Sequence, residues 1–239
     1  MTRLCSVLST FAKRGQGATQ TTLVLPVALR QGCRLDPPLG AAGARREDRL
    51  AASHADEAGP EGTSARERLG LVQVYTGNGK GKTTAALGLA LRACGHGLRV
   101  YVGQFLKGTT YGELAGAERL APLVTIEQYG LPKRIHGGEP SPEQRAAARD
   151  GLAKAKEALG GSRYDIVILD ELAVALDYGL VSEAEVLVAI DEKPPHVELV
   201  ITGRHAPASI LDRADLVSEV REVRHPFSKG IGARRGIEF

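Results

Sequence analysis

A chain of 239 residues with 43% hydrophobic content can bury a sizeable core, and it contains no run of eighteen apolar residues that would read as a membrane span. The formal charge of +3 is unevenly spread: residues 1–69 carry ten Lys and Arg against seven Asp and Glu, while the remaining 170 residues carry 21 of each. A nucleic-acid binder concentrates basic charge on its folded domain, so that class is excluded, and Cys5, Cys33 and Cys94 form no metal-ligand spacing and read as thiols of a reducing, cytoplasmic compartment.

Residues 1–69 lack sustained hydrophobic periodicity and are punctuated by stretches such as Asp36-Pro-Pro and Ala58-Gly-Pro. This predicts a disordered N-terminal extension ahead of one domain over residues 70–239. The first 35 residues hold five basic side chains and no acidic one, the composition of an organellar transit peptide. A dispensable basic extension, or a start placed too early, has the same composition, and the apolar run at 23–29 shows no amphipathic period. A chain beginning at Arg66 is therefore expected to keep full turnover. Lost turnover in a folded protein of that length would show that the extension carries chemistry.

From Leu71 onward, short β-branched runs alternate with helical patterns, which predicts an α/β fold with a mostly parallel sheet and helices on both faces. The first unit reads strand, glycine loop, helix: Leu71-Val-Gln-Val-Tyr-Thr76, then Gly77-Asn-Gly-Lys-Gly-Lys-Thr-Thr84, then an apolar helix to about Gly95. Glycines without Cβ let successive N–H groups turn toward one anion, and the helix adds its positive dipole end. Gly77, Asn78, Gly79, Lys80, Gly81, Lys82, Thr83 and Thr84 are thus the candidate phosphate-binding residues, with Lys82 as the point charge and Thr83 as a hydroxyl for Mg²⁺. The usual pattern wants a glycine five places before Gly81. That place is Thr76, so the loop is one residue short.

A second strand is predicted at 98–105, followed by the glycine-punctuated loop Lys107-Gly-Thr-Thr-Tyr-Gly112 at its carboxyl end, where open α/β sheets place ligands. A helix around 113–121, a strand at 123–128 and a long loop from Tyr129 to Pro140 come next. Tyr129 and Leu131 in that loop are suited either to contact a large flat ligand or to anchor the loop. His136 in the same loop reads as solvent-facing or as a ligand. Ser141-Pro-Glu-Gln144 is a capping-box start, and Ala148, Leu152, Ala155 and Leu159 then share one helix face. The run 164–170 is a buried strand ending in Asp170 and Glu171, the acidic strand end that meets Mg²⁺ in P-loop proteins. Ser182 caps a further helix carrying Val186, Leu187 and Ile190. A strand at 197–202 ends in Gly203-Arg204, where Arg204 is placed to fork a phosphate or to form a surface ion pair. A short helix at 207–213 and a strand at 216–223 complete the sheet.

The segments Thr76-Gly-Asn-Gly-Lys-Gly-Lys-Thr-Thr84, Gly95-His-Gly97, Gln104-Phe-Leu-Lys-Gly108, Leu169-Asp-Glu-Leu172, Ile201-Thr-Gly-Arg204 and Gly236-Ile-Glu-Phe239 together resemble the P-loop corrinoid adenosyltransferases over about 170 residues, from Leu71 to Phe239. The shortened loop is part of that family's pattern. The resemblance implies a RecA-like α/β fold that transfers the 5′-deoxyadenosyl group of ATP to Co(I) of a corrinoid and releases triphosphate. ATP would lie reversed on the loop so that C5′ faces the corrin. It implies Mg²⁺ (or Mn²⁺) held by Thr83 and Glu171, with Asp170 beside them, and loop contacts from Asn78 and Lys80. Lys82 and Arg204 would stabilise the departing triphosphate. Reduced corrinoid is the second substrate, an electron donor must reduce Co(II), and a homodimer is expected.

This chain departs from the family in having no tryptophan, whereas some members place aromatics, a tryptophan among them, in the loop after the third strand. Tyr129 and Leu131 are what it offers there as corrinoid contacts. The Asp-x-His-x-x-Gly signature of enzymes that keep the corrinoid as cofactor is absent, as expected if it is a substrate. Two other classes compete: a P-loop ATPase or kinase acting on the γ-phosphate, and a nucleotide-dependent binding module without turnover. The guanine-reading Asn-Lys-x-Asp motif is missing, which counts against a GTPase.

Overall fold

The computed structural model describes residues 64–132, 135 and 139–239. The expectations for the extension up to residue 63 and for His136 lie outside the described residues. Six strands form one wholly parallel sheet in the order β3-β2-β4-β5-β1-β6. They are β1 (Val72–Thr76), β2 (Val100–Phe105), β3 (Val124–Tyr129), β4 (Ile166–Asp170), β5 (Glu198–Thr202) and β6 (Leu216–Glu219). The RecA-like α/β architecture expected from the sequence is present, and β5 lies between the strand that feeds the glycine loop and the strand that ends in the acids.

The helices are α1 (Lys82–Gly95), α2 (Gly112–Leu120), α3 (Pro142–Gly160), α4 (Leu172–Asp177), α5 (Glu183–Asp191) and α6 (Ala208–Leu211). A parallel sheet covered on both faces must be apolar on both, and the period of two in a strand sorts its side chains between two cores. Ile166 and Ile168 pack with Ala86, Ala90 and Ala93 of α1 and Ala117 of α2 on one face. Val167 and Leu169 pack with Leu152, Ala155 and Leu159 of α3 and with Leu172 of α4 on the other. The predicted cap of α3 is present, with the Gln144 amide donating to Ser141 Oγ at 3.3 Å and the Ser141 amide donating to Gln144 Oε1 at 2.8 Å. None of the described helices is long and apolar enough to cross a membrane.

Two sequence expectations are corrected. Residues 64–69, assigned by composition to the extension, include a 3₁₀ turn (Ala65–Arg68), with Ala65 and Leu69 packed on the α1 face of the core and Arg66 paired with Asp165 at 3.0 Å. The ordered fold thus begins before residue 70. Tyr129 is the last residue of β3 rather than the first of a loop. Its ring is buried over Gly151 of α3, where a Cβ would stand 2.6 Å from the ring, and its hydroxyl bonds Tyr101 at 2.8 Å and Glu127. Burial and the Glu127 carboxylate push the Tyr129 phenol up, so it stays a neutral donor. A short helix, α4, follows Glu171 directly.

Candidate nucleotide and transfer site

The site is built along the carboxyl edge of the sheet, as expected for an open parallel sheet. Register sets polar side chains in a row there: Gln128 beside Gln104, Gln104 beside Asp170, and Thr202 one strand further on beside Tyr75. They form one hydrogen-bonded chain. Gln128 donates to Gln104 at 3.1 Å, Gln104 donates to Asp170 at 3.2 Å, and the Thr202 hydroxyl donates to Asp170 at 2.7 Å. Thr83, from the first turn of α1, donates to the same Asp170 oxygen at 2.8 Å, and Lys107 pairs with the other at 3.0 Å. Asp170 is 1% exposed, so each of its oxygens is already taken by two donors. It holds Thr83 in place, while Glu171 is the acid that faces open space.

Glu171 reaches that position because its backbone is left-handed, with φ at 62°, and its amide donates to Thr202 at 3.0 Å. Leu106 after β2 (φ 62°) and His205 after β5 (φ 56°) turn in the same way. A left-handed non-glycine residue costs about 1–2 kcal/mol, and three of them at the carboxyl ends of three strands mark this edge as built for more than packing. Burial and the neighbouring Asp170 push the Glu171 carboxyl up, against the pull of Lys82, Lys107 and Arg204.

The glycine loop has the form expected from its sequence. Gly77 (φ 96°) and Gly81 (φ 127°) occupy backbone conformations that favour glycine. Gly77 and Gly79 also lie against the chain that continues β6: a Cβ on either would come within 3 Å of the Val220 carbonyl, and the Gly79 amide donates to that carbonyl at 2.7 Å. Lys82 is 5% exposed and its Nζ donates to the carbonyls of Gly77 and Gly79 at 2.7 and 2.8 Å. Burial lowers its pKa, which marks a cation poorly shielded by water.

A cavity of about 640 Å³ lies over the loop, lined by all the predicted loop residues from Asn78 to Thr84 and by Glu171 and Arg204. A second cavity of about 580 Å³ is lined by Tyr129, Leu131, Ile135, Val174 and Tyr178. Lys107, Tyr111, Glu171, Arg204 and Glu238 line both, and form the seam between them. Arg204 forms no ion pair among the described residues. Tyr129 is only 9% exposed and its hydroxyl is engaged, so Leu131 is the freer of the two predicted contacts.

Lys107 is the residue that sequence reasoning missed. It pairs with Asp170 and with Glu113 (3.2 Å) and lies 5.1 Å from the centre of the Tyr111 ring. Burial pulls its pKa down, but the two carboxylates outweigh that and hold it charged. The signal available was its place just past a strand end, inside the segment Gln104-Phe-Leu-Lys-Gly108.

No group of three or more His, Cys, Asp and Glu side chains able to hold a metal occurs among the described residues. The Thr83 hydroxyl and the Glu171 carboxylate are nevertheless hard oxygen donors beside a phosphate loop. They fit a Mg²⁺ that takes one or two protein ligands and its remaining partners from phosphate and water.

Comparison with known proteins gives a consistent result. The family model for ATP:corrinoid adenosyltransferases BtuR/CobO/CobP matches residues 68–239. The chain is 40% identical over 176 residues to the corrinoid adenosyltransferase of Escherichia coli strain K12, covering 73% of this chain and 88% of that one. It is 40% identical over 176 residues to corrinoid adenosyltransferase CobA of Salmonella typhimurium, with the same two coverages. With the corrinoid adenosyltransferase of Pseudomonas aeruginosa it shares 37% identity over 178 residues, 73% of this chain and 86% of the relative.

Proposed function

Since the chain belongs to the ATP:corrinoid adenosyltransferase family, we propose that it transfers the 5′-deoxyadenosyl group of ATP to Co(I) of a corrinoid and releases triphosphate. The observation that carries this reading is the seam: the cavity over the glycine loop shares Lys107, Tyr111, Glu171, Arg204 and Glu238 with a second cavity lined by Tyr129 and Leu131. Hydrolysis needs only the first. Transfer between two substrates needs both, meeting where Lys107, Glu171 and Arg204 stand.

Co(I) is already a strong nucleophile, so no general base is required. The bond formed is Co–C5′ and the bond broken is C5′–O, with the electron pair leaving on the triphosphate. The protein's work is to hold C5′ in line and to stabilise the leaving charge. In this reading Lys82 and the loop amides grip the phosphates, and Asn78 and Lys80 contact them from the loop. Arg204 forks onto the triphosphate from the seam, and Lys107 adds a fixed cation there. Thr83 and Glu171 would hold Mg²⁺, which supplies charge neutralisation on the triphosphate when bound. Asp170 keeps the Thr83 hydroxyl aimed.

The cobalt must arrive reduced, so an electron donor acting on Co(II) belongs to the reaction. A homodimer is part of the same reading, supported by the exposed Leu216 and Val217 on edge strand β6.

The test is to incubate the protein with ATP, Mg²⁺ and chemically reduced corrinoid and to identify the phosphorus product. Triphosphate, formed only with corrinoid, is expected. An ATP analogue with a non-hydrolysable β–γ bridge should remain a donor, because that linkage survives the reaction. Inorganic phosphate released without corrinoid would replace this reading with an ordinary ATPase.

Glu171→Gln keeps the shape and removes the charge. It is expected to lower Mg²⁺-dependent turnover by about a hundredfold, against a change of less than about threefold in metal-free nucleotide binding. Titrating turnover and ATP affinity with and without Mg²⁺ checks this. Equal losses in both would assign Glu171 a purely structural part.

A further inference from the structure

The segment Gly236-Ile-Glu-Phe239 contributes no strand or helix, yet all four residues line the cavity over the glycine loop, and Glu238 lines the second cavity as well. What holds it there is charge rather than burial. Ile237 is 59% exposed and Phe239 45% exposed, so their apolar surfaces anchor little. Glu238, by contrast, accepts from Lys80 Nζ at 2.7 Å and from the amide, Nε and a terminal guanidinium nitrogen of Arg234 at 2.7, 3.2 and 3.0 Å. The segment closes on itself through the Gly236 amide, which donates to the Phe239 carbonyl at 2.7 Å, and it lies across the start of α2 beside Gly112. Lys80 sits in the middle of the glycine loop, 158 positions earlier in the chain.

We propose that residues 236–239 form the closing wall of the nucleotide cavity, latched to the glycine loop by Glu238 on Lys80, and that ATP binding and docking of this wall stabilise one another. The proposal rests on reading the cavity as an ATP site. The cavity already measures about 640 Å³ with the segment in place, room enough for a nucleotide, so the wall encloses the ligand rather than yielding to it. A triphosphate entering beneath it shares Lys80 with Glu238. Arg234 continues to neutralise the Glu238 carboxylate, so the wall is not driven off by like charge. The Arg234 contacts, and after them Lys80, hold the Glu238 carboxyl at about 2, so the latch stays ionised throughout the neutral range. Closing one side also keeps water from the triphosphate, which favours transfer of the adenosyl group over loss of phosphate.

Three measurements on the full chain and its variants test this. Deleting residues 236–239 should weaken ATP binding, measured by calorimetry with Mg²⁺, by about tenfold, in keeping with the loss of charge-anchored contacts. Glu238→Gln keeps the wall and loses only the latch charge, so it should weaken binding by about threefold, the scale of an exposed pair. In the unmodified chain, ATP or inorganic triphosphate should slow hydrogen exchange at the amides of residues 237–239. Undiminished ATP affinity in Glu238→Gln and the deletion, with exchange at those amides indifferent to ATP, overturns the wall while leaving the nucleotide site standing. A full chain that binds no ATP overturns the reading of the cavity itself. Should the deletion fail to fold, Glu238→Gln and the exchange measurement decide the matter.

Discussion

Lys82→Ala is expected to slow adenosyl transfer by about a hundred- to a thousandfold, the loss seen when a preorganised charge stabiliser is removed from an active site. Its ammonium is drawn into the loop by the Gly77 and Gly79 carbonyls, under the cavity that the loop residues line. Burial lowers its pKa, which means that the charge sits where solvent shields it poorly and attracts phosphate strongly. Without it, two carbonyl oxygens face the triphosphate with no cation between them. The ground state is already anionic, and the transition state adds charge to the leaving oxygen, so the penalty falls mainly on the rate of the bond-breaking step. Single-turnover transfer from ATP to chemically reduced corrinoid measures this directly, with thermal unfolding run alongside to establish that the variant folds. A drop of less than about tenfold would remove Lys82 from its place as the principal stabiliser.

Asp170→Ala should cost about 3–5 kcal/mol of stability, the range for breaking a buried ion pair on one side. Asp170 takes four donors: the Thr83 and Thr202 hydroxyls, the Gln104 amide and the Lys107 ammonium. Removal strands the fully buried Thr202 hydroxyl and takes a partner from Thr83, Gln104 and Lys107, leaving Gln104 and Lys107 with Glu113 as their remaining carboxylate. For a domain of this size that energy corresponds to a melting point lower by about 6–20 °C. The double variant Asp170→Ala, Lys107→Met removes the stranded charge and should recover part of the loss. A single variant that melts within about 2 °C of the parent would show that water reaches these groups and satisfies them.

What the sequence made legible was local. The strand, glycine loop and helix from Leu71 to Gly95 declare themselves through neighbouring residues, as do the capped starts at Ser141 and Ser182 and the acids that end β4. What stayed hidden depends on register between distant strands. Gln104 and Thr202 are ordinary polar residues until β2 and β5 set them on either side of Asp170. Lys107 gains its importance from the same neighbour. Tyr129 reads as a loop residue in the sequence because its burial depends on Gly151, a helical residue 22 positions later. The contact between Lys80 and Glu238 had no local signal at all, since each residue alone reads as a solvated charge.

The bond from the Gly79 amide to the Val220 carbonyl has a kinetic side. Two loop glycines are wedged against the chain leaving β6, so the loop is shaped by the protein and not by its ligand. A loop that must fold around phosphate makes association slow, with a rate that levels off at high ligand concentration. This loop is already formed when the nucleotide arrives. Capture of ATP should then proceed in one exponential phase whose rate rises linearly with concentration and falls with added salt, limited by charged encounter.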